Sequence, residues 1–387
     1  MTCWPRRESR TSAATSTARG NWRSTSSSTS GGRRRRSEGL RCAGVRILFV
    51  TQMWPGPDDP DLGAFLVPIV RKLEALGHEV ELVTIDRRGG SRAKYARLTG
   101  DAVRAARRTR PDVVFAHMLF PAGAAGAIAA RSARAGLVVM AHGQDVANLG
   151  RIPGVRGATR WVVGHASGVI ANSRWLADRL VQHVPVADAK LEIANCGIDL
   201  EAFSPQAALE ARREVGWDGE GPAFLCVGSL IERKNVVTLA DAFGELGRGR
   251  LAFVGDGTLR GALEGRPGVR VTGRVPHGEV RTWLAACDVL CQPSLREPFG
   301  QALLEAMAME RSVLGTTVGG PPEFVPPEAG VLVDPSDPAG LVAALERAAA
   351  LPSPNPAARE AAAKQDVRVQ VARMAAVLER AARGTEA

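Results

Sequence analysis

Glu297 and Glu305 stand eight residues apart in "REPFGQALLEAMA" (296–308), on either side of a Pro298-Phe299-Gly300 turn that opens a helical apolar pattern. A helix N-terminus carries free backbone N–H groups and a partial positive charge, which suits a phosphate. Glu305 falls about two turns into that helix, where a carboxylate can accept two hydrogen bonds from the vicinal hydroxyls of a ribose. The turn, the helix start and the two acids therefore describe a seat for a nucleoside diphosphate. The bare spacing fits a capping acid and a surface glutamate equally well.

Further segments add groups of the same chemistry. "VGSLIERKN" (227–235) follows an apolar run and supplies Ser229 and the adjacent cations Arg233 and Lys234, suited to neutralising a diphosphate. "TTVGGPPEFV" (316–325) supplies Gly319 and Gly320, where backbone can approach a ligand closely, with Glu323 after them. His117 and His142 end two successive apolar runs, with Asp145 nearby, and are candidates for sugar contact; His78, in "GHEV", reads as a structural histidine.

The elements that must position these groups are legible as alternation. "RILFVT", "HEVELVTI", "DVVFAH", "GLVVMAHG" and "GVIANS" are short β-branched runs with helical stretches such as "GAFLVPIVRKLEALG" between them. Continuous apolar strands alternating with helices predict a parallel sheet covered on both faces, here a doubly wound first domain over 45–200. Residues 201–220 read as a Gly- and acid-rich connection. The alternation restarts in "AFLCVGS", "LAFVGDG", "VRVTG", "DVLCQPS", "SVLGTT" and "GVLVD", giving a second Rossmann-like domain over 221–350. Residues 351–387 form a Pro-punctuated linker into an Ala-rich helix that fits against either domain. Open parallel sheets bind ligands beyond the carboxyl ends of their strands, so two in tandem face each other across a cleft.

The formal charge of +10 is unevenly placed: residues 1–44 hold ten arginines against two glutamates, leaving the rest close to neutral. That Ser/Thr/Arg-rich segment is too poor in large apolar residues to offset its chain entropy and reads as a disordered tail or as a start assigned too far upstream. It has no apolar core of a secretory signal, nor the pattern of a nucleic-acid module. No apolar run is long enough to span a bilayer. The six cysteines show no CxxC pair; Cys287 and Cys291 are four apart without a second ligand pair, and buried thiols in a reducing cytoplasm are the expectation.

The ordered motifs "VGSLIERKN", "FVGDG", "DVLCQPSLREPFGQALLEAMA", "GGPPEFV" and "GVLVDPSD" resemble the second domain of retaining glycosyltransferase family 4, which has the two-Rossmann GT-B fold. "GHEVELVT", "PDVVFAH", "AHGQD", "GVIANSRWLADRL" and "NCGIDLEAFSP" resemble its first domain, somewhat in the manner of transferases of cell-surface polysaccharide assembly. The resemblance runs from Val45 to Asp337. It implies that Glu305 holds the nucleotide ribose, that Glu297 lies beside the donor sugar, and that Arg233 and Lys234 bind the diphosphate with Phe299, Gly300, Gly319 and Gly320 around them. Gly63 then matches a small residue over the diphosphate, and His117 and His142 fall in the donor-sugar and acceptor region. One position departs from the pattern: Ser229 stands where the family often has arginine.

The implied reaction is transfer of a sugar from a UDP- or GDP-sugar to a hydroxyl of a glycan, a lipid-linked acceptor or a small glycoside. Front-face attack is expected over a covalent route through Glu297, with Lys234, Arg233 and the helix terminus stabilising the departing diphosphate. No metal is expected to be required, because "PDDPD" (57–61) precedes a helix and reads as its cap. Residues 87–110 hold nine basic side chains against Asp101, with Tyr95, Leu98 and Ala102 on one helical face. Such a helix suits either an anionic inner membrane face or the solvated outside of a sheet. The rival readings are a sugar-nucleotide epimerase on the same fold and an NAD-dependent oxidoreductase resting on Gly255, Gly257 and Gly261. The latter spacing is GxGxxxG, and no acid ends the next strand to hold a ribose.

Overall fold

Burial on both faces explains why the apolar runs of the first half carry almost no polar alternation. The structure, a computed structural model, describes residues 44–384. The tail expectation, with Cys3 and Cys42, lies outside the described residues except at Gly44. Strands β1 (Arg46–Thr51), β2 (Glu79–Thr84), β3 (Val113–His117), β4 (Gly136–Ala141), β5 (Gly168–Ala171) and β6 (Leu191–Ile193) form one parallel sheet in the order β2-β1-β3-β4-β5-β6. Every residue of β3, β4 and β5 is buried, as expected for central strands with helices on both sides.

The second sheet is built from β7 (Ala223–Val227), β8 (Arg250–Val254), β9 (Val269–Gly273), β10 (Val289–Cys291), β11 (Ser312–Thr316) and β12 (Gly330–Val333), in the order β12-β11-β10-β7-β8-β9. Its order reverses between β7 and β10, and that of the first sheet between β1 and β3. At such switch points successive connections leave to opposite sides and open a crevice beyond the strand ends. Ser229 to Lys234 follow β7, Ser294 to Glu297 follow β10, and His117 is the last residue of β3, so the candidate groups gather at the two crevices.

One segment departs from the sequence reading, and two that it left open are placed. The expected connection contains a helix, Ala208–Glu214, and Ala211, Val215 and Trp217 are buried in the core of the second half; apolar spacing there outweighs the Gly-rich flanks. The C-terminal helix Val367–Arg383 returns to the first half, where Val371, Met374 and Leu378 join the core beneath β1, β3 and β4. Its close approach requires Gly136 and Gly168: a Cβ on either would sit about 2.5 Å from Ala381 O or 2.6 Å from Val377 Cγ1.

The basic helix, Ala93–Thr109, buries Leu98, Ala102, Ala105 and Ala106 within the fold, with Tyr95 half-buried beside them. The apolar face that a bilayer would meet is therefore already used, as in the second of the two expected settings. Several of its charges are also engaged: Arg104 pairs with Asp101, Arg108 with Glu81, and Lys94 Nζ donates to the carbonyls of Arg87, Arg88 and Gly89. Among the described residues no helix is long and apolar enough to cross a membrane.

Candidate active site

The central contact of the site joins the two loops that leave the second switch point. Lys234 ends a single 3-10 turn, Glu232–Lys234, after β7, and its Nζ donates to Glu297 Oε2 at 2.6 Å. Ser294 Oγ donates to the same oxygen at 3.1 Å. Both charged side chains are largely buried, with 13% and 9% of their surface exposed. Arg233 points its Nη1 at Arg296 O, 3.1 Å away. Oε1 of Glu297 has no such partner among the described residues.

Glycine makes this arrangement possible. Gly319 has φ +138°, and a Cβ there would lie 1.8 Å from Glu297 O; at Gly320 it would lie 2.8 Å from Phe299 Cα and Pro298 O. The Gly319-Gly320 loop thus backs the Glu297 to Phe299 segment, and Gly320 N donates to Glu297 O at 2.9 Å. Neither glycine lines the cleft, so their lack of side chains serves the packing of the loop that carries Glu297. Gly63 has φ +65° and abuts Met53 O, where a Cβ would come within 2.4 Å, a requirement internal to its own loop. Ser229 is exposed and outside the cleft lining.

Gly300 precedes the helix Gln301–Ala308 with φ +103° and no side-chain cap; Leu303 N donates to Gly300 O at 3.0 Å, which leaves the N–H groups of Gln301 and Ala302 at the helix start. Glu305 follows Gln301 by one turn and lies outside the cleft lining. Burial raises its carboxyl to about 8, opposed by the neighbouring Gln301 amide. Part of its surface reaches solvent.

The histidines are layered. His142 lines the cleft; His117 lies behind it, fully buried, between Phe49 and Phe115 at ring distances of 4.3 Å. The placement of His117 at the cleft surface is thus corrected: its strand ends there, but its side chain points into the aromatic core. Its Nδ1 is 3.0 Å from His142 Nε2, and its Nε2 has no partner. Burial pushes His117 well below the usual imidazole range, with His142 adding to it. Burial lowers His142 to about 4 although Asp145 pulls the other way. Asp145 is itself a loop brace, accepting from Leu119 N at 2.9 Å and Gly143 N at 2.8 Å.

The two halves meet around these groups. Gly143, at φ +121°, abuts Pro298, where a Cβ would come within 2.3 Å of Cγ. Ser173 Oγ donates to Pro298 O at 2.7 Å and Gln301 Nε2 to Gly197 O at 3.0 Å. Glu323 accepts from Arg174 N and Trp175 N at 3.0 and 2.9 Å, capping a helix of the opposite half. The acids of "PDDPD" do not cap a helix: Asp59 and Asp61 hold Arg88, and Asp59 also meets Arg274 across the halves at 3.3 Å.

Between the halves lies a cleft of about 630 Å³. Of the expected residues, Glu297, Arg233, His142, Phe299 and Gly300 line it, and Lys234 reaches it through Glu297. The sequence reading missed Arg151, Trp175, Arg179, His183, Cys196 and Arg296, which also line it. Trp175, Arg179, Cys196 and Arg296 lie in segments that carry the family resemblance, but their only individual signal was the four-residue spacing of Trp175, Arg179 and His183, which any surface helix can show. Cys196 is buried and its thiol is raised by desolvation, which makes it a poor nucleophile. The four described cysteines are free and buried, Cys287 and Cys291 included.

Two family models match the chain in tandem, "Glycosyltransferase Family 4" over residues 37–202 and "Glycosyl transferases group 1" over residues 221–350. The chain belongs to the family 4 glycosyltransferases. Its two facing sheets are the GT-B fold, shared with Anabaena Alr3699/HepE, solved in complex with UDP and glucose. That structure is 22% identical with a TM-score of 0.67, over 87% of this chain and all of the other. TuaC of Bacillus subtilis, named for teichuronic acid biosynthesis, is 31% identical over 61% of each chain. D-inositol 3-phosphate glycosyltransferase 1 of Catenulispora acidiphila is 29% identical over 59% of this chain and 61% of its own length. The chain thus spans about three-fifths of the length of these curated relatives.

The glycines of "FVGDG" have a packing explanation that weakens the dinucleotide reading. A Cβ on Gly255 would lie 1.9 Å from Gly228 O, and one on Gly257 2.4 Å from Leu230 O, so both serve loop-to-loop contact.

Proposed function

We propose that the chain transfers a sugar from a nucleoside diphosphate sugar to an acceptor hydroxyl with retention of anomeric configuration. The observation that carries this is the Lys234–Glu297 pair at the second switch point, facing His142 across the cleft. The diphosphate lies over the open N–H groups after Gly300, with Arg233 and Lys234 as counter-charges. Glu305 accepts from the ribose, Glu297 Oε1 from a hydroxyl of the donor sugar, and His142 faces that sugar from the other side.

Glu297 has one oxygen held by both Lys234 and Ser294, an arrangement for orienting a substrate rather than attacking it. This favours front-face attack, in which the acceptor oxygen forms its bond to the anomeric carbon as the bond to the diphosphate breaks. The acceptor proton passes to the departing diphosphate oxygen. Fixed cations at that oxygen stabilise the charge that develops there. UDP- and GDP-sugars are the donor candidates, with UDP favoured by the Anabaena complex. Lipid-linked or envelope glycans are the acceptor candidates, in keeping with the name of the Bacillus relative. Work at the inner membrane face fits them, through charge alone since the helix over 93–109 has no free apolar face.

The test is a thermal-shift screen of the protein against UDP-, GDP- and ADP-sugars, NAD and NADP, beside Glu305→Ala. A shift with one sugar nucleotide that is lost in the variant supports the proposal; a shift with NAD alone refutes it. NMR of the anomeric proton in the product then decides retention, and turnover of the donor sugar without any acceptor would favour the epimerase.

A further inference from the structure

The charge lining the cleft exceeds what a donor diphosphate needs. Four arginines line it, Arg151, Arg179, Arg233 and Arg296, against one acid, Glu297, which is tied to Lys234. Arg233 and Arg296 stand on the second half beside the diphosphate seat. Arg151 and Arg179 stand on the first half, and neither guanidinium has a hydrogen-bond or carboxylate partner among the described residues.

The wall that carries them is built in advance. Trp175, Arg179 and His183 recur every four residues on the helix Arg174–His183 and so form one stripe. Arg179 lies 5.3 Å from the Trp175 ring centroid, against its face. Ser173 Oγ accepts from Leu176 N, and Glu323 of the opposite half takes the N–H groups of Arg174 and Trp175, so the start of this helix is fixed to both halves. Arg151 follows Gly150 on the facing loop, and Met118, Val146 and Leu149 supply the apolar lining between. Both side chains are exposed at the cleft without a carboxylate beside them, and their planar donor forks match an oxyanion.

We infer that the acceptor carries an oxyanion, a phosphate or a carboxylate, held by Arg151 and Arg179 while its ring lies against Trp175. This rests on the transferase reading for the placement of the donor. Anionic acceptors are then selected over neutral ones by attraction to the first-half wall, and the attacking hydroxyl is oriented by an anchor remote from the reacting carbon.

The experiment is calorimetric titration of the whole protein with glucose 1-phosphate, methyl glucuronide and methyl glucoside, each with and without saturating UDP. At least one anionic probe is expected to bind ten-fold or more tightly than the neutral glucoside. Comparing the phosphate with the carboxylate identifies the oxyanion. In Arg151→Gln/Arg179→Gln that preference falls to about two-fold, with the melting temperature showing that the variant is folded. Equal binding of anionic and neutral probes in both series, or a preference that survives in the double variant, overturns the inference. Failure of UDP itself to bind refutes the donor reading instead, while the series without UDP still decides this one.

Discussion

Lys234 and Glu297 are 63 residues apart in the chain and 2.6 Å apart in space, because β7 and β10 that precede them are neighbours at the switch point of the second sheet. Both are largely buried, so each is the other's main compensation for lost hydration.

Lys234→Ala leaves Glu297 buried without its counter-ion and should cost about 3 kcal/mol of stability. Lys234→Met/Glu297→Gln removes both charges and should recover most of that loss while remaining inactive. Urea unfolding and donor turnover measured on the same samples separate the two effects. Equal stability of the single and double variants would refute the pairing argument.

Glu305 links stability to function through pH. Its carboxyl is raised to about 8 by burial, so the folded state favours the neutral form. That contribution is fully present below the ordinary carboxylate range and is lost as pH rises toward 8. Glu305→Gln should therefore stabilise the protein by about 1–3 kcal/mol at pH 8, discounted for partial solvent access, and by almost nothing at pH 4. The proposed ribose contact favours the carboxylate, so on that proposal sugar-nucleotide affinity should fall as pH drops from 8 toward 6, with proton release on binding. Calorimetry in buffers of different ionisation enthalpy measures that proton directly.

His142 should remain neutral through the working range. Its imidazole is lowered to about 4 by burial, so protons bind the unfolded chain first. Stability is then lost as pH falls from about 6.5 toward 4. Nitrogen NMR of the imidazole should show no titration above about pH 5, and an acid limb in kcat/KM near pH 6.5 must come from another group. Titration of His142 near 6.5 would contradict the burial account.

Gly143→Ala tests the approach of the two halves. The new Cβ would lie 2.3 Å from Pro298 Cγ on a backbone at φ +121°, so the halves must part or the loop must shift. A turnover loss of a hundred-fold or more is expected, with a larger radius of gyration in solution scattering. Wild-type turnover in this variant would show that the contact is dispensable.

The central strands of both sheets were legible because each is a short, largely apolar run between turn residues, the mark of double-sided burial, while the outer strands β2 and β9 carry charged residues among their apolar ones. Only the three-residue β6, half-exposed at the sheet edge, escaped notice. Glu297, Lys234, Arg233 and the Gly300 helix start were legible as well, since they lie in loops directly after strands or at a helix entrance. His117 was misplaced because a strand end shows where a residue sits along the sheet but not to which side its ring turns; alternation across the strand puts it between Phe49 and Phe115.

What the sequence determined by itself was therefore local: the elements, their alternation, and which loops carry charged and glycine-rich chemistry. Tertiary structure decided what strand order and domain approach decide. It made β7 and β10 neighbours, so that Lys234 meets Glu297, and assigned the glycines at 319 and 320 to packing. It also turned Trp175, Arg179 and His183 toward a cleft and brought the C-terminal helix back to the first sheet. Such pairings depend on contacts between residues distant in the chain, and no local periodicity carries them.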